Sequence, residues 1–377
     1  MACFLRPLNI YGVLDVSNGG KMKAFNILVV LFLSIFLFLS CSTSSRNSLT
    51  LPITSQDTTL SFLTLNMDVG FEAGNLLTVN LLDSQTVFTQ GKLLYQQFLA
   101  SHALERLQVL ADSIVRTAPD VVCLQEVLFF RNLDNAEIVD FVSVLLHDID
   151  SLGGPAYSNL RQHHNAISLR VKNSVHTDSL NILASEGNAI LFKNAALTLL
   201  SADSLNYIAE IPPLPLLGAL ITPQRGVIFA RFKTDKQTII NLFTTHLEDG
   251  SSALDVIGDA QAVELASFIN SKGGSSETQF LAGDFNQTPG GARVTVIKTL
   301  GFLDLYDAVN HSDAETCCYN VADTTVPLTE KIDYIFGKNF VSVQSAKVRL
   351  NGSFTIPGVG GFRVSDHAGV GASVTFH

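Results

Sequence analysis

The sequence predicts a single α/β domain, because short apolar runs alternate with amphipathic helical stretches, no internal repeat appears, and the apolar runs repeatedly end in polar residues. With 377 residues, 47% of them apolar, the chain can bury a sizeable core. Strands are expected at Leu60 to Leu65, Val121 to Leu124, Ala189 to Phe192, Val227 to Phe232, Ile239 to Thr244, Gln279 to Ala282 and Ile332 to Phe336, each bounded by turn or polar residues. Helical spacing appears at Leu104, Leu107, Ala111 and Ile114, and again at Ile257, Gln261, Leu265, Phe268 and Ile269. Each helix delivers the chain to a strand, one through Pro119-Asp120 and the other through Gly273-Gly274.

The N-terminus reads as a targeting segment. Thirteen residues from Ile27 to Leu39 carry a single Ser, follow Lys21 and Lys23, and precede Ser40-Cys41-Ser42. That is a signal-peptide layout, too short to span a bilayer comfortably. Leu39-Ser40-Cys41 resembles a bacterial lipoprotein processing site, so the chain is expected to be exported, and either anchored through a lipid on Cys41 or secreted. Met22, directly before a Lys, is a candidate true start. The expected organisation is therefore an extension and signal at 1–41, a Ser/Thr-rich linker at 42–58 and one domain at 59–377.

Charge and cysteines narrow the classes. A net charge of −10 repels polyanions, which weighs against a scanning nucleic-acid binder. No Trp is present and Lys plus Arg number only 24, so no basic tract is interleaved with aromatics. Cys3, Cys41, Cys123, Cys317 and Cys318 form neither a disulfide framework nor the paired C-x-x-C spacing of a zinc site. Cys123, within Val121-Val122-Cys123-Leu124, reads as a core thiol. The adjacent Cys317 and Cys318 have no account at this level.

Five apolar segments finish in groups able to bind metal or move protons: Asn66, Glu126, His246, Asp284-Phe285-Asn286 and Ser365-Asp366-His367. Polar groups buried without partners are costly, so their repetition at strand ends argues that they converge. Carboxylate and amide oxygens suit Mg²⁺, a role open to Glu126 and Asn66. In-line attack on phosphorus also needs a base and donors for the equatorial oxygens, which His246, Asp284, Asn286 and His367 cover.

These residues lie in seven motifs: LTLNM at 63–67, PDVVCLQEV at 119–127, GNAILF at 187–192, TTHLED at 244–249, LAGDFNQTP at 281–289, KIDYIF at 331–336 and SDHAGV at 365–370. In this order they resemble the endonuclease/exonuclease/phosphatase superfamily, from about Thr59 to Phe376. The resemblance implies a two-sheet, four-layer α/β/β/α sandwich. It implies Glu126 as principal Mg²⁺ ligand, with Asn66 and Asp366 in support and Mn²⁺ or another divalent ion as substitute. It also implies that Asp284 and Asn286 position water or leaving group, that His246 and His367 contact the scissile phosphate, and that Asp333 orients His367. Asp284 and His367 remain competing candidates for the general base.

The implied reaction is hydrolysis of a phosphoester by activated water. Apurinic endonucleases usually present a Tyr and a nearby Pro-Asn where this chain has Thr245-His246-Leu247, which disfavours that branch. THLEDGSS followed by Ala260-Gln261 looks more like a bacterial sphingomyelinase, so a phospholipid head group is the first reading; a secreted or surface nuclease is the alternative, and a non-catalytic surface protein comes last. A monomer is expected. Tyr207 to Pro223 has one charged residue, Glu210, and its Pro212, Pro213 and Pro215 bar a regular helix or central strand, so it either packs on the domain or projects toward a membrane surface. Arg225 is read as either a phosphate contact or a solvated turn residue. Within the long region from Phe129 to Ser185, His163-His164-Asn165 is read as a solvated loop in preference to a substrate-facing cluster.

Overall fold

A computed structural model describes residues 57–71, 80, 82–132, 137–164, 167–172, 179–216, 219–221, 224–249, 254–274, 276–312 and 314–377. The expected signal segment, Met22, Cys41 and most of the expected linker lie outside these residues. Among the described residues no helix is long and apolar enough to cross a membrane.

Two six-stranded sheets carry the domain. The first is ordered Ser342–Arg349, Gly369–Phe376, Thr58–Asn66, Val121–Gln125, Gly187–Lys193, Tyr157–His163. The second is ordered Leu303–Asp304, Asp333–Lys338, Thr278–Asp284, Ile239–His246, Gly226–Thr234, Leu197–Asn206. Each sheet has one parallel pair, Thr58–Asn66 with Val121–Gln125 and Ile239–His246 with Thr278–Asp284. A parallel pair requires a crossover, and the helices Ala103–Thr117 and Asp255–Lys272 supply it.

Alternation along the strands builds the layers. Phe62 faces Cys123, Ile190, Phe232, Leu242 and Phe280 between the sheets, with the Phe62 and Phe280 ring centroids 4.5 Å apart. Its neighbour Leu63 points the other way, with Val122 and Leu191, onto Leu107, Leu110, Ile114, Val142 and Leu145 of the helices. On the far face, Phe243, Leu281 and Phe336 pack against Leu265, Phe268 and Val294. The expected four-layer sandwich is the fold, and Cys123 is a buried free thiol in its central layer.

Several local expectations change. Leu104 is solvent-exposed; Leu107, Leu110, Ala111 and Ile114 form the buried face of its helix. A helix at Ser84–Ala100, capped by Asp83 accepting from Thr86 N at 2.7 Å, gave little sequence signal because it buries only Val87, Phe88 and Phe98. The region after Phe129 holds a four-stranded antiparallel sheet, Glu137–Asp140, Phe129–Asn132, Ser179–Ser185, Ile167–Lys172, and the helix Phe141–Ser151. Cys317 and Cys318 are joined to each other in a disulfide. Tyr207 is buried while Ile208 is 85% exposed, and Leu214–Leu216 pairs with Ala219–Ile221 in a hairpin separate from both large sheets.

Candidate active site

The strands run further than their apolar cores, and this extension builds the site. His246 stands opposite Asp284 in the parallel ladder, and Asp284 stands opposite Asp333 in the antiparallel one. Three adjacent strands of the second sheet thus end in register with three polar side chains, all buried. In the first sheet Asn66 ends its strand opposite Gln125, and Glu126 follows immediately with φ of +53°. Asp68 and Asn286 also take positive φ, +56° and +47°. Such non-glycine conformations cost energy and concentrate at functional sites.

Asn66 links the two sheets. Its Nδ2 donates to Glu126 Oε1 at 3.0 Å and to Asp284 Oδ2 at 3.1 Å, and its Oδ1 accepts from Asp68 N at 3.0 Å. Asn66 therefore meets both carboxylates as a donor, and its oxygen accepts from the Asp68 amide. His367 Nδ1 lies 2.8 Å from Asp333 Oδ2, and its Nε2 lies 3.8 Å from Asp284 Oδ2. His246 Nε2 lies 3.5 Å from Asp284 Oδ2 and 3.1 Å from Asn286 Nδ2. Ser365 Oγ donates to Asn66 O at 2.7 Å, and lies 3.1 Å from Asp366 Oδ1. All eight residues singled out in the sequence come together.

Electrostatics differentiate them. Burial, then the neighbouring Asp333, raises the Asp284 carboxyl to about 7. Burial alone would push His367 down, but Asp333, Asp366 and Asp284 more than offset it and hold the imidazole well above its usual value. His246 goes the other way, pushed well below by burial and the Arg225 cation. Asp366 is raised to about 7 by burial, then by Asp68 and Glu126, against the opposing pull of His367.

Other residues shape the site without having been foreseen. Asp68 takes Gly70 N on Oδ1 and Arg106 Nη1 on Oδ2, at 2.7 and 3.1 Å. Its place two residues after Asn66 was the available signal. Arg225 is neither a solvated turn residue nor free: it lies 3.1 Å from Glu186, 3.7 Å from Glu248 and 2.8 Å from His246. His164 is not a solvated loop residue either; it is 5% exposed, and burial and Arg225 hold it down at about 3. Thr316 Oγ1 accepts from Asp333 N at 3.2 Å and its carbonyl from Ala368 N at 2.7 Å, tying the two segments that carry Asp333 and His367. Arg293, fully buried, donates to the carbonyls of Glu248, Phe285 and Asn286. No sequence pattern marked Thr316 or Arg293.

The acidic side chains fit a hard divalent cation. Asp68 and Glu126 lie close enough to raise the Asp366 carboxyl, and an all-oxygen donor set of this kind suits such an ion. Ligand atoms of Asp284, Asp333 and His367 also lie within 4.8 Å of one another. In that second group His367 Nδ1 is already hydrogen-bonded to Asp333.

A buried carboxylate–imidazole pair beside a cluster of oxygen donors, at the joined ends of a four-layer sandwich, is chemically suited to phosphoester hydrolysis. The chain belongs to the endonuclease/exonuclease/phosphatase family, whose model matches residues 64–367. No curated protein sequence matches it. Among solved structures it is similar to an endonuclease/exonuclease/phosphatase family protein from Bacteroides thetaiotaomicron, with TM-score 0.57, 15% identity, and 85% of this chain and 99% of that chain covered. It is also similar to a mannosyl-6-phosphatase of Bacteroides thetaiotaomicron VPI-5482, with TM-score 0.55, 16% identity, and 84% and 99% covered. A humanized D. rerio TDP2 gives TM-score 0.51, 15% identity, and 84% and 98% covered. At these identities the likeness is one of fold.

Proposed function

We propose that the protein hydrolyses the phosphoester of a phospholipid head group, using Mg²⁺ held by Glu126 and Asp366 with Asp68 beside them and Asn66 orienting Glu126. When bound, the ion would polarise a phosphoryl oxygen and lower the pKa of water. Asp284 Oδ2, on which Asn66, His246 and His367 converge, is the acceptor placed to take a proton from attacking water. His367, charged by its pairing with Asp333, is placed to stabilise the phosphoryl oxygens or protonate the leaving group, which favours Asp284 over His367 as base. His246 and Asn286 add neutral donors.

The observation that carries the lipid reading is the contact between Tyr207 N and Arg225 O, 2.9 Å long, which starts the apolar 207–223 segment beside the site with Ile208 85% exposed. The cations here support it too: Arg106, Arg225 and Arg293 are all engaged with acids, a poor match to a polynucleotide's row of phosphates. An exported lipoprotein anchored through Cys41 would hold the enzyme at such a surface. The test is turnover of sphingomyelin vesicles, plasmid DNA and inositol phosphates by the mature chain. Ile208→Ser should lower vesicle binding and turnover while leaving a soluble phosphodiester unaffected; faster cleavage of DNA than of vesicles would favour the nuclease. Cys41→Ser should release the protein from membranes, and a variant resistant to high-salt and carbonate washing refutes lipidation.

A further inference from the structure

Arg225 immediately precedes the strand Gly226–Thr234. Gly226 stands opposite His246 in the ladder, so the preceding residue projects just past the strand end, beside the His246 ring. Only glycine fits at 226, since a Cβ there would meet Leu205 O at 2.5 Å and the Gln162 amide at 2.6 Å. Arg225 Nη1 lies 2.8 Å from His246 Nδ1 and donates to Glu186 Oε1 at 3.1 Å, while its Nε faces Glu248. A guanidinium has donors and no acceptor, so the imidazole Nδ1 must accept. A proton on Nδ1 would face the guanidinium donor, whereas one on Nε2 has the Asp284 carboxylate 3.5 Å away as an acceptor beside the Asn286 amide, which leaves the single ring proton on Nε2.

That tautomer has a consequence at the other side of the ring. Nε2 lies 3.1 Å from Asn286 Nδ2, whose amide orientation is set by donation to Leu247 O at 3.0 Å. Two N–H groups therefore converge beside Asp284, an arrangement that suits an incoming phosphoryl oxygen better than it suits the two groups themselves. We infer that Arg225 is a positioning residue, braced by Glu186 and Glu248, that holds His246 as a neutral imidazole with its Nε2–H aimed at the substrate phosphoryl group. This deepens the phosphoesterase reading and rests on it. His246 is then a hydrogen-bond donor throughout and takes no proton from water, and Arg225 acts on the reaction through His246.

The experiment is nitrogen-15 NMR of the full chain labelled at histidine, with His246 assigned from His246→Gln, alongside kinetics on bis-p-nitrophenyl phosphate. In the unsubstituted protein His246 should show a bare Nδ1 and a protonated Nε2. Arg225→Met should release that tautomer, while Arg225→Lys, whose ammonium can donate to both Glu186 and His246, should keep it. In turnover, Arg225→Met should lower kcat by about ten- to a hundredfold with KM changed less than about threefold, and Arg225→Lys should recover most of the loss. A proton on Nδ1 in the unsubstituted protein, or an unchanged tautomer in Arg225→Met, overturns the assignment, as does a loss confined to KM, which would make Arg225 a direct phosphate ligand. The NMR result needs no substrate, so it stands even if the phosphoesterase reading fails.

Discussion

His367 Nδ1 sits 2.8 Å from Asp333 Oδ2 with both side chains buried, Asp333 at 0% exposure. The carboxylate keeps the imidazole charged and fixes its second nitrogen toward Asp284. Asp333→Asn should therefore lower kcat by roughly a hundredfold, and so should His367→Ala. Because the two act as a unit, the double variant should be little worse than either single one. Multiplying losses in the double-mutant cycle would show that they work independently.

Arg293 supports the Asp284–Asn286 turn from beneath. Its Nη1 donates to Glu248 O, Phe285 O and Asn286 O at 2.7, 3.2 and 2.8 Å, and Asp255 and Asp259 neutralise it. Arg293→Met strands these carbonyls and should cost about 2–4 kcal/mol in denaturant unfolding. Gly258 lies against the guanidinium, where a Cβ would meet Arg293 Cζ at 2.3 Å, and the tied arginine has no room to yield. Gly258→Ala should accordingly lower both Tm and kcat; an unchanged Tm would mean that the arginine relocates freely.

His164 makes stability depend on pH. Burial, then Arg225, lowers it from 6.5 to about 3 in the folded chain. Between those values the unfolded chain binds a proton that the folded chain refuses, so the contribution is fully present above the unfolded pKa and is lost as pH falls toward 3. His164→Gln should flatten the decline of unfolding free energy between about pH 6 and pH 4 by up to about 1.4 kcal/mol per pH unit. Parallel curves for the two proteins would contradict this.

The fold was legible because its central strands alternate cleanly, Phe62 inward and Leu63 outward, and because the polar residues closing those strands stood out against apolar runs. That these candidate residues gather in one place was legible for the same reason. Their orientation was not. Whether Asn66 presents its nitrogen or its oxygen depends on Asp68 N, and whether Arg225 is solvated depends on Glu186 and Glu248, which arrive from other segments. Arg293 and Thr316 hold backbone carbonyls and amides, and such support leaves no periodic trace in a sequence.

Metal-dependent phosphoester hydrolysis organised by Glu126 is decided by turnover of bis-p-nitrophenyl phosphate with Mg²⁺, with EDTA, and with Mg²⁺ restored, in the unsubstituted protein and in Glu126→Gln. The substitution removes an anionic oxygen but almost no volume, so Tm should hold. Turnover should vanish in EDTA, return with Mg²⁺, and fall by about a hundredfold or more in Glu126→Gln. Turnover indifferent to EDTA would show that no divalent ion takes part, and a Glu126→Gln protein near full activity at saturating Mg²⁺ would show that Glu126 does not hold it.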